Sequence, residues 1–378
     1  MQNFDDIRFY KDDEVNDALQ EYVKHPMVKA LLQFTFPELK FSDIKAIINE
    51  CHSIADFQSK VIYLSVERVL EKTSEGLSDN GFNKLAADES YFYISNHRDI
   101  ILDTSLINYT LLDHDLVMTA SAIGDNLVQK PFLMALSKLN RNFLVLRNQS
   151  PREMLKSSLK LSEYIKKLLL EDKRSVWMAQ REGRTKDGND FTQQGVLKML
   201  GMAKGEHDVL DYFAKLKIVP IAISYEFDPT DMLKMPEVLA KRMKEEYKKT
   251  ANEDFNSIMQ GAMGQKGRIQ INAGKVLTSE DFNAIRDKDL SINEQLKEVA
   301  TLIDNAIYRN YKLWPANYIA YDLLKNETRF EEHYTEKEKR QFDRRISRRV
   351  DVKNPLALNS YLLMYANPVI NKMSLNEE

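Results

Sequence analysis

Tyr91-Phe92-Tyr93-Ile94-Ser95-Asn96-His97-Arg98-Asp99 decides how this chain is read. Tyr91 to Ser95 is a short aromatic and β-branched run with the texture of a buried strand, and a polar turn follows it directly. Similar runs recur downstream: Leu116-Val117-Met118, Phe143 to Leu146, Ser175 to Met178 and Ile218 to Ile223. Helical patterns lie between them, the clearest from Pro151 to Leu170, where the proline suits a first helical turn. Strands alternating with helices predict an α/β fold, a mostly parallel or mixed sheet flanked by helices. Arg268-Ile269-Gln270-Ile271 alternates polar and apolar residues and reads as a half-exposed edge strand.

Outside this core the pattern is helical. Apolar residues recur at helical spacing through Val15-Leu19-Tyr22-Val23 and Ile44-Ile47-Ile48. Ser42-Asp43 suggests a helix start, and a long amphipathic helix is expected from about Ile54 to Thr73, stopping near Gly76. Another is expected from Ile292 through Ala306. The chain therefore divides into a helical N-terminal region over 1–80, read as a packing or capping unit, an α/β domain over 81–290, and a helical C-terminal extension over 291–378.

Composition narrows the function classes. The 378 residues are 43% apolar and 29% charged with a formal net charge of -3, so nothing global demands nucleic acid. Cys51 is the single cysteine, which leaves no intrachain disulfide and no cysteine-rich metal site. No two histidines have ligand spacing, so no metal is expected. Met1 to Asp6 is acidic without an apolar core, and no stretch reaches the roughly 18 apolar residues of a spanning helix. A cytoplasmic protein, peripheral on the inner face of a membrane, is the expectation.

Candidate chemistry gathers at strand ends. Ligands of open α/β sheets collect outside the carboxyl ends of the strands. Of six histidines, His97 alone sits in a strand-then-turn setting. Asp103, six residues on, falls in the first turn of the next helix, where a carboxylate can return to Nδ1 and leave Nε2 as a base. Asp99 is the alternative partner. After the strand ending at Ala179 comes Gln180-Arg181-Glu182-Gly183-Arg184-Thr185-Lys186-Asp187-Gly188, whose glycines permit close backbone approach and whose cations suit an anion. Arg147 stands at a third strand end. His97-Arg98-Asp99 also spells the start of a protein-kinase catalytic loop, but Thr104 stands where that loop needs asparagine, and no glycine-rich phosphate loop precedes it.

Over roughly residues 88 to 280 this order resembles the glycerolipid acyltransferase family, which includes glycerol-3-phosphate and lysophosphatidate acyltransferases. Asn96-His97 with Asp103 resembles the first family motif, with five intervening residues in place of four. Phe143 to Arg147 resembles the second, Arg181 to Gly188 the third, and Val219-Pro220-Ile221-Ala222-Ile223 the fourth. The third departs from the pattern, since Gly183 is followed at once by Arg184. The resemblance implies His97 and Asp103 as catalytic residues, and Asn96, Arg147, Glu182, Gly183, Arg184 and Lys186 as substrate-binding ones. It further implies an acyl-carrier-protein or coenzyme A thioester as donor, a phosphorylated glycerol as acceptor, and no cofactor. An acylated amino acid as acceptor, or a non-catalytic lipid-binding protein on the same fold, remain the alternatives. The basic stretch Lys337 to Lys353 places Arg344 with Arg348, and Arg345 with Arg349, at i, i+4; it suggests docking on anionic lipid.

Overall fold

The computed structural model describes residues 3–375, so Met1 and Gln2 of the acidic opening lie outside the described residues. Five helices come first: α1 (Asp12–Tyr22), α2 (Pro26–Thr35), α3 (Phe41–Asn49), α4 (Ile54–Phe57) and α5 (Tyr63–Thr73). The helix expected over Ile54–Thr73 is real but carries a π turn, Gln58–Ile62, between α4 and α5. Ser53 starts it: its hydroxyl accepts Asp56 N–H at 3.0 Å, and Asp56 accepts Ser53 N–H at 2.9 Å. The expected start at Ser42 is displaced, because α3 begins at Phe41 with Lys40 as its cap.

The first eighty residues are not wholly helical. β1 (Leu77–Asn80) is a strand, unforeseen because Leu-Ser-Asp-Asn is polar and exposed, as suits a sheet edge. The remaining strands are β2 (Phe92–Ser95), β3 (Thr119–Gly124), β4 (Asn142–Val145), β5 (Ser175–Ala179), β6 (Ile218–Tyr225) and β7 (Ile269–Ala273). Their order in the sheet is β1-β7-β6-β2-β5-β3-β4. β6 and β7 pair antiparallel and the other pairs are parallel, so the sheet is mixed. β7 is therefore interior, against the edge position expected of it; β1 covers its outer side.

Between the strands run α6 (Leu102–Asp113), α7 (Pro131–Leu139), α8 (Pro151–Lys166), α9 (Gln194–Leu200), α10 (Val209–Lys215), α11 (Asp231–Met243) and α12 (Glu253–Met263). α8 begins at Pro151 as expected, with Ser150 and Glu153 closing a capping box. The strand expected at Leu116–Met118 instead starts at Thr119. α6 ends in a Schellman cap: Asp115 takes φ +55°, Leu116 N–H reaches Leu111 O at 2.8 Å, and Asp115 N–H reaches Leu112 O at 3.1 Å. The cap consumes Leu116, whose apolar side chain packs back on the helix face instead of opening the strand.

β2 lies at the centre, and its alternating side chains serve two cores. Phe92 and Ile94 join the cluster beneath α8, α9, α10 and α14 (Ile292–Asn310), while Tyr93 joins the one beneath α5 and α6. Each such fully buried side chain contributes roughly 1.5–3 kcal/mol, which holds the carboxyl end of β2 in a rigid frame.

After α13 (Ser279–Arg286) and α14, the chain closes with α15 (Pro315–Lys325), α16 (Glu336–Arg349) and α17 (Pro355–Ser374). α14 runs past the expected Ala306 to Asn310. The fully buried Asp231 of α11 ties this extension to the sheet. Its carboxylate accepts Arg345 Nη2 at 2.8 Å, Arg349 Nη1 at 2.5 Å, Tyr361 Oη at 2.7 Å and Tyr365 Oη at 2.8 Å. The basic stretch is thereby split: Arg345 and Arg349 face inward, while Arg344 and Arg348 stay exposed. Adjacent residues on a helix stand about 100° apart, so neighbouring i, i+4 pairs need not share a face.

Replacing Asp231 by Asn leaves two inward arginines without a counter-charge. It should lower stability by about 3–5 kcal/mol, read as a fall in the urea midpoint; an unchanged midpoint would mean the extension is held by apolar packing alone.

Candidate functional site

The site stands at the carboxyl ends of β2, β4, β5 and β6. Immediately after β2, His97 Nδ1 lies 2.7 Å from Asp103 Oδ2. That oxygen also accepts the backbone N–H groups of Arg98 at 2.6 Å and Asp99 at 3.0 Å, and Oδ1 accepts Tyr225 Oη at 3.0 Å. Asp103 is fully buried and accepts from its other partners, so Nδ1 is the nitrogen that carries a hydrogen towards it, and in the neutral ring Nε2 is the free base. The burial and the Asp103 carboxylate push the Tyr225 phenol well above its ordinary range, keeping it a donor.

The extra residue between His97 and Asp103 is absorbed by Asp99. Its Oδ1 accepts Ile101 N–H at 3.0 Å and Leu102 N–H at 2.9 Å, so it caps α6 and delays the helix to Leu102. Asp103 then falls in the first turn, turned back towards His97. Asp99 is thus the cap, not the partner. Burial first and the Asp103 charge second raise its carboxyl pKa, and its Oδ2 has no hydrogen-bond partner among the described residues. Gly261 of α12 packs directly on that oxygen, where a Cβ would collide with it.

His97 is held from the side by Trp177 of β5, edge-on with ring centroids 5.5 Å apart. Trp177 Nε1 donates to Ser95 Oγ at 3.0 Å. Asn96 does not reach the groove as a substrate contact. It is fully buried, its Nδ2 donates to Ile223 O at 2.9 Å, and its Oδ1 accepts Ile223 N–H at 2.8 Å. The carboxamide clamps β2 to β6 where the ladder ends.

The loop after β5 is fastened to the same place. Thr185 N–H donates to His97 O at 2.9 Å. Thr185 Oγ1 donates to Asp190 Oδ1 at 2.6 Å, and Arg98 Nη2 donates to Asp190 Oδ2 at 2.6 Å. Tyr311 Oη donates to the same buried carboxylate. The loop's cations are not equivalent. Arg147 pairs with Glu182 at 2.7 Å, and Lys186 pairs with Glu237 at 2.8 Å. Burial, and then the Arg184 charge, lower the Lys186 pKa. Arg184 is buried and lines the groove, and among the described residues its one hydrogen bond is to Thr230 Oγ1 at 3.3 Å. Among the described residues it is in no ion pair, although its charge acts on the Asp99 carboxyl. Glu182 is the exposed partner of Arg147. Gly183 takes φ +70° with open space about it, whereas Gly188, at φ +75°, lies hard against the Met364 carbonyl of α17.

His97, Arg147, Glu182, Gly183, Arg184 and Lys186 all line one groove of about 1780 Å³. Its apolar walls come from Leu31 and Phe34 of α2, Val66 and Val69 of α5, Leu112 of α6 and Ile258 of α12. The N-terminal helices, expected as a capping unit, thus build part of the groove. Among the described residues no three His, Cys, Asp or Glu side chains are placed to hold a metal ion.

Sequence reasoning missed Tyr225, Trp177, Asp190 and Thr230. Tyr225 could have been found, since it ends the strand whose start was recognised. Asp190 carries no local signal for its role: besides Thr185 in the same loop, its partners Arg98 and Tyr311 lie 92 and 121 residues away.

Residues 77–224 match the family model described as Acyltransferase. No curated protein matches the chain. Among solved structures, the 1-acyl-sn-glycerophosphate (LPA) acyltransferase PlsC from Thermotoga maritima is similar at 11% identity and a TM-score of 0.37, covering 79% of this chain and 97% of that one.

Asp304 of α14 anchors the loop's far end, accepting Thr192 N–H at 2.7 Å and Thr192 Oγ1 at 2.6 Å. Burial raises its pKa from 3.8 to about 7. Between these values the folded state binds more protons than the unfolded one, so this group's contribution is greatest at low pH and is lost as pH rises through about 7. Asp304→Asn should remove that component, so that stability falls less, or rises more, with pH between about 4 and 7 than in the wild type; parallel slopes in thermal melts would contradict the anchor's titration.

Proposed function

We propose that this chain, an acyltransferase by its domain at residues 77–224, moves a fatty acyl group from a thioester to a hydroxyl of glycerol 3-phosphate or 1-acylglycerol 3-phosphate. One observation carries the reading: a histidine backed by a buried carboxylate opens on an apolar groove that is also lined by an arginine in no ion pair among the described residues. The groove exceeds the roughly 300–1,000 Å³ of an ordinary small-ligand pocket. That size suits an acyl chain together with an acceptor.

His97 Nε2 takes the proton of the acceptor hydroxyl as its oxygen bonds to the thioester carbonyl carbon. The imidazolium that forms is stabilised by Asp103, which keeps the ring oriented throughout. The tetrahedral intermediate collapses, the C–S bond breaks, and the departing thiolate receives the proton from Nε2. The ester and the free thiol leave. The thioester supplies a good leaving group, so the chain's own residues suffice for each step. Arg184 binds the acceptor's phosphate by charge-assisted hydrogen bonds, with Arg147 and Lys186 adding field through their salt-bridged positions. Holding the hydroxyl at Nε2 this way can supply several kcal/mol. The donor is an acyl-carrier-protein or coenzyme A thioester, and the enzyme works peripherally at a cytoplasmic membrane face. Among the described residues no helix is long and apolar enough to cross a membrane.

Folded His97→Ala should lose about 10²- to 10⁴-fold in kcat in transfer from either thioester to glycerol 3-phosphate or its 1-acyl derivative. Full activity in that variant would sink the mechanism. Arg184→Ala should chiefly raise the acceptor KM, by roughly tenfold or more. An unchanged KM would remove Arg184 from the phosphate site.

A further inference from the structure

We propose that the rim of the groove is a docking face for the anionic surface of a phospholipid bilayer, with the first turns of α8 and the exposed Met259 and Met263 of α12 entering the interface; the need for such a face rests on the acyl-transfer reading above. Five large apolar side chains that line the groove are nonetheless exposed: Ile101, Met154, Phe191, Met259 and Met263. Beside Met154, Leu155 is 64% exposed, the most of any large apolar residue described. Scattered exposed apolar residues are ordinary, but a set of them lining one groove marks an interaction surface.

The charges around the rim favour an anionic partner. Its acids are mostly occupied: Glu153 closes the α8 cap, Glu182 is held by Arg147, Glu237 by Lys186 and Asp254 by Lys249. Asp187 is the exception. Arg152 and Lys156 on α8 and Lys241 on α11 are exposed, and among the described residues none of them is in an ion pair. Arg181 lies 4.7 Å over the Phe191 ring and is likewise outside any ion pair. Long apolar side chains interleaved with unpaired cations are the pattern of an interfacial surface, where the chains enter the acyl boundary and the cations meet lipid phosphates. A folded acidic protein would match the charge but leave these protruding methionines and leucines without a lipid phase.

The C-terminal basic helix fits less well. Lys337, Arg340, Arg344 and Arg348 form an exposed stripe on α16, but no exposed large apolar residue accompanies them on that helix. Charge without an apolar component gives weaker, more salt-sensitive attachment. The groove mouth is also where an acyl acceptor must enter, so docking there brings His97 to the substrate.

The test is co-sedimentation of the full chain with phosphatidylglycerol vesicles and with phosphatidylcholine vesicles. Two charge-altered proteins accompany it, Leu155→Asp/Lys156→Glu on the rim and Lys337→Glu/Arg344→Glu on α16. The wild type should bind phosphatidylglycerol vesicles more tightly than phosphatidylcholine ones. The rim variant should bind at least about tenfold more weakly, with the α16 variant close to wild type. The rim variant should also keep wild-type transfer to acceptor dispersed in detergent micelles while losing it on vesicle-embedded acceptor. A rim variant that binds like wild type, an α16 variant that alone loses binding, or a wild type retained only by an acidic carrier protein would each overturn the proposal. Vesicle binding as expected, with no transfer to micellar acceptor by the wild type, would uphold the docking face and refute the acyl-transfer reading instead.

Discussion

The Asp103 carboxylate is the point on which the site depends. It is fully buried, and such a group is tolerable only when its lone pairs are met by well-placed donors. Here His97, two backbone N–H groups and the Tyr225 phenol supply them. Three of these four donors come from the turn after β2 and the fourth from the end of β6. One hydrogen-bond set therefore orients the imidazole, closes the turn and fixes two strand ends together.

Around this set lies a second buried carboxylate with a different task. Asp190 joins Arg98, Thr185 and Tyr311, so it locks the turn after β2 to the loop after β5 and to the start of the C-terminal extension. Lys234 of α11 donates to the Arg98 carbonyl at 2.9 Å and pairs with Asp228, adding the loop after β6. The cationic loop can thus offer Arg184 to the groove without being free to collapse onto His97. The helical extensions contribute by packing against these loops: α17 against Gly188, and α2 and α5 along the apolar wall.

Much of this was legible in the sequence. The strand-turn run around His97, the Pro151 helix start and the strand at Ile218 each rest on local signals: buried apolar runs and capping residues that do not depend on distant partners. The mixed, helix-flanked sheet followed from their alternation. What escaped was non-local or polar. β1 is a strand because β7 needs a neighbour, and its own Leu-Ser-Asp-Asn carries no strand signal. Leu116 looked like a strand residue and is the apolar anchor of a helix cap. The family resemblance suggested Asn96 as a substrate contact, and only the fold reveals that its carboxamide is consumed by Ile223. The difference between Arg184 and its neighbours was likewise invisible, because it depends on Glu182 and Glu237 pairing with Arg147 and Lys186.

The state of the His97 ring is where these constraints converge, and nitrogen-15 NMR of histidine-labelled protein at neutral pH reads it directly. The expected signature for His97 is a protonated Nδ1 with an unprotonated Nε2, lost on replacing Asp103 by Ala. A ring protonated at Nε2 and bare at Nδ1 would contradict Asp103 as its acceptor and leave no base facing the groove.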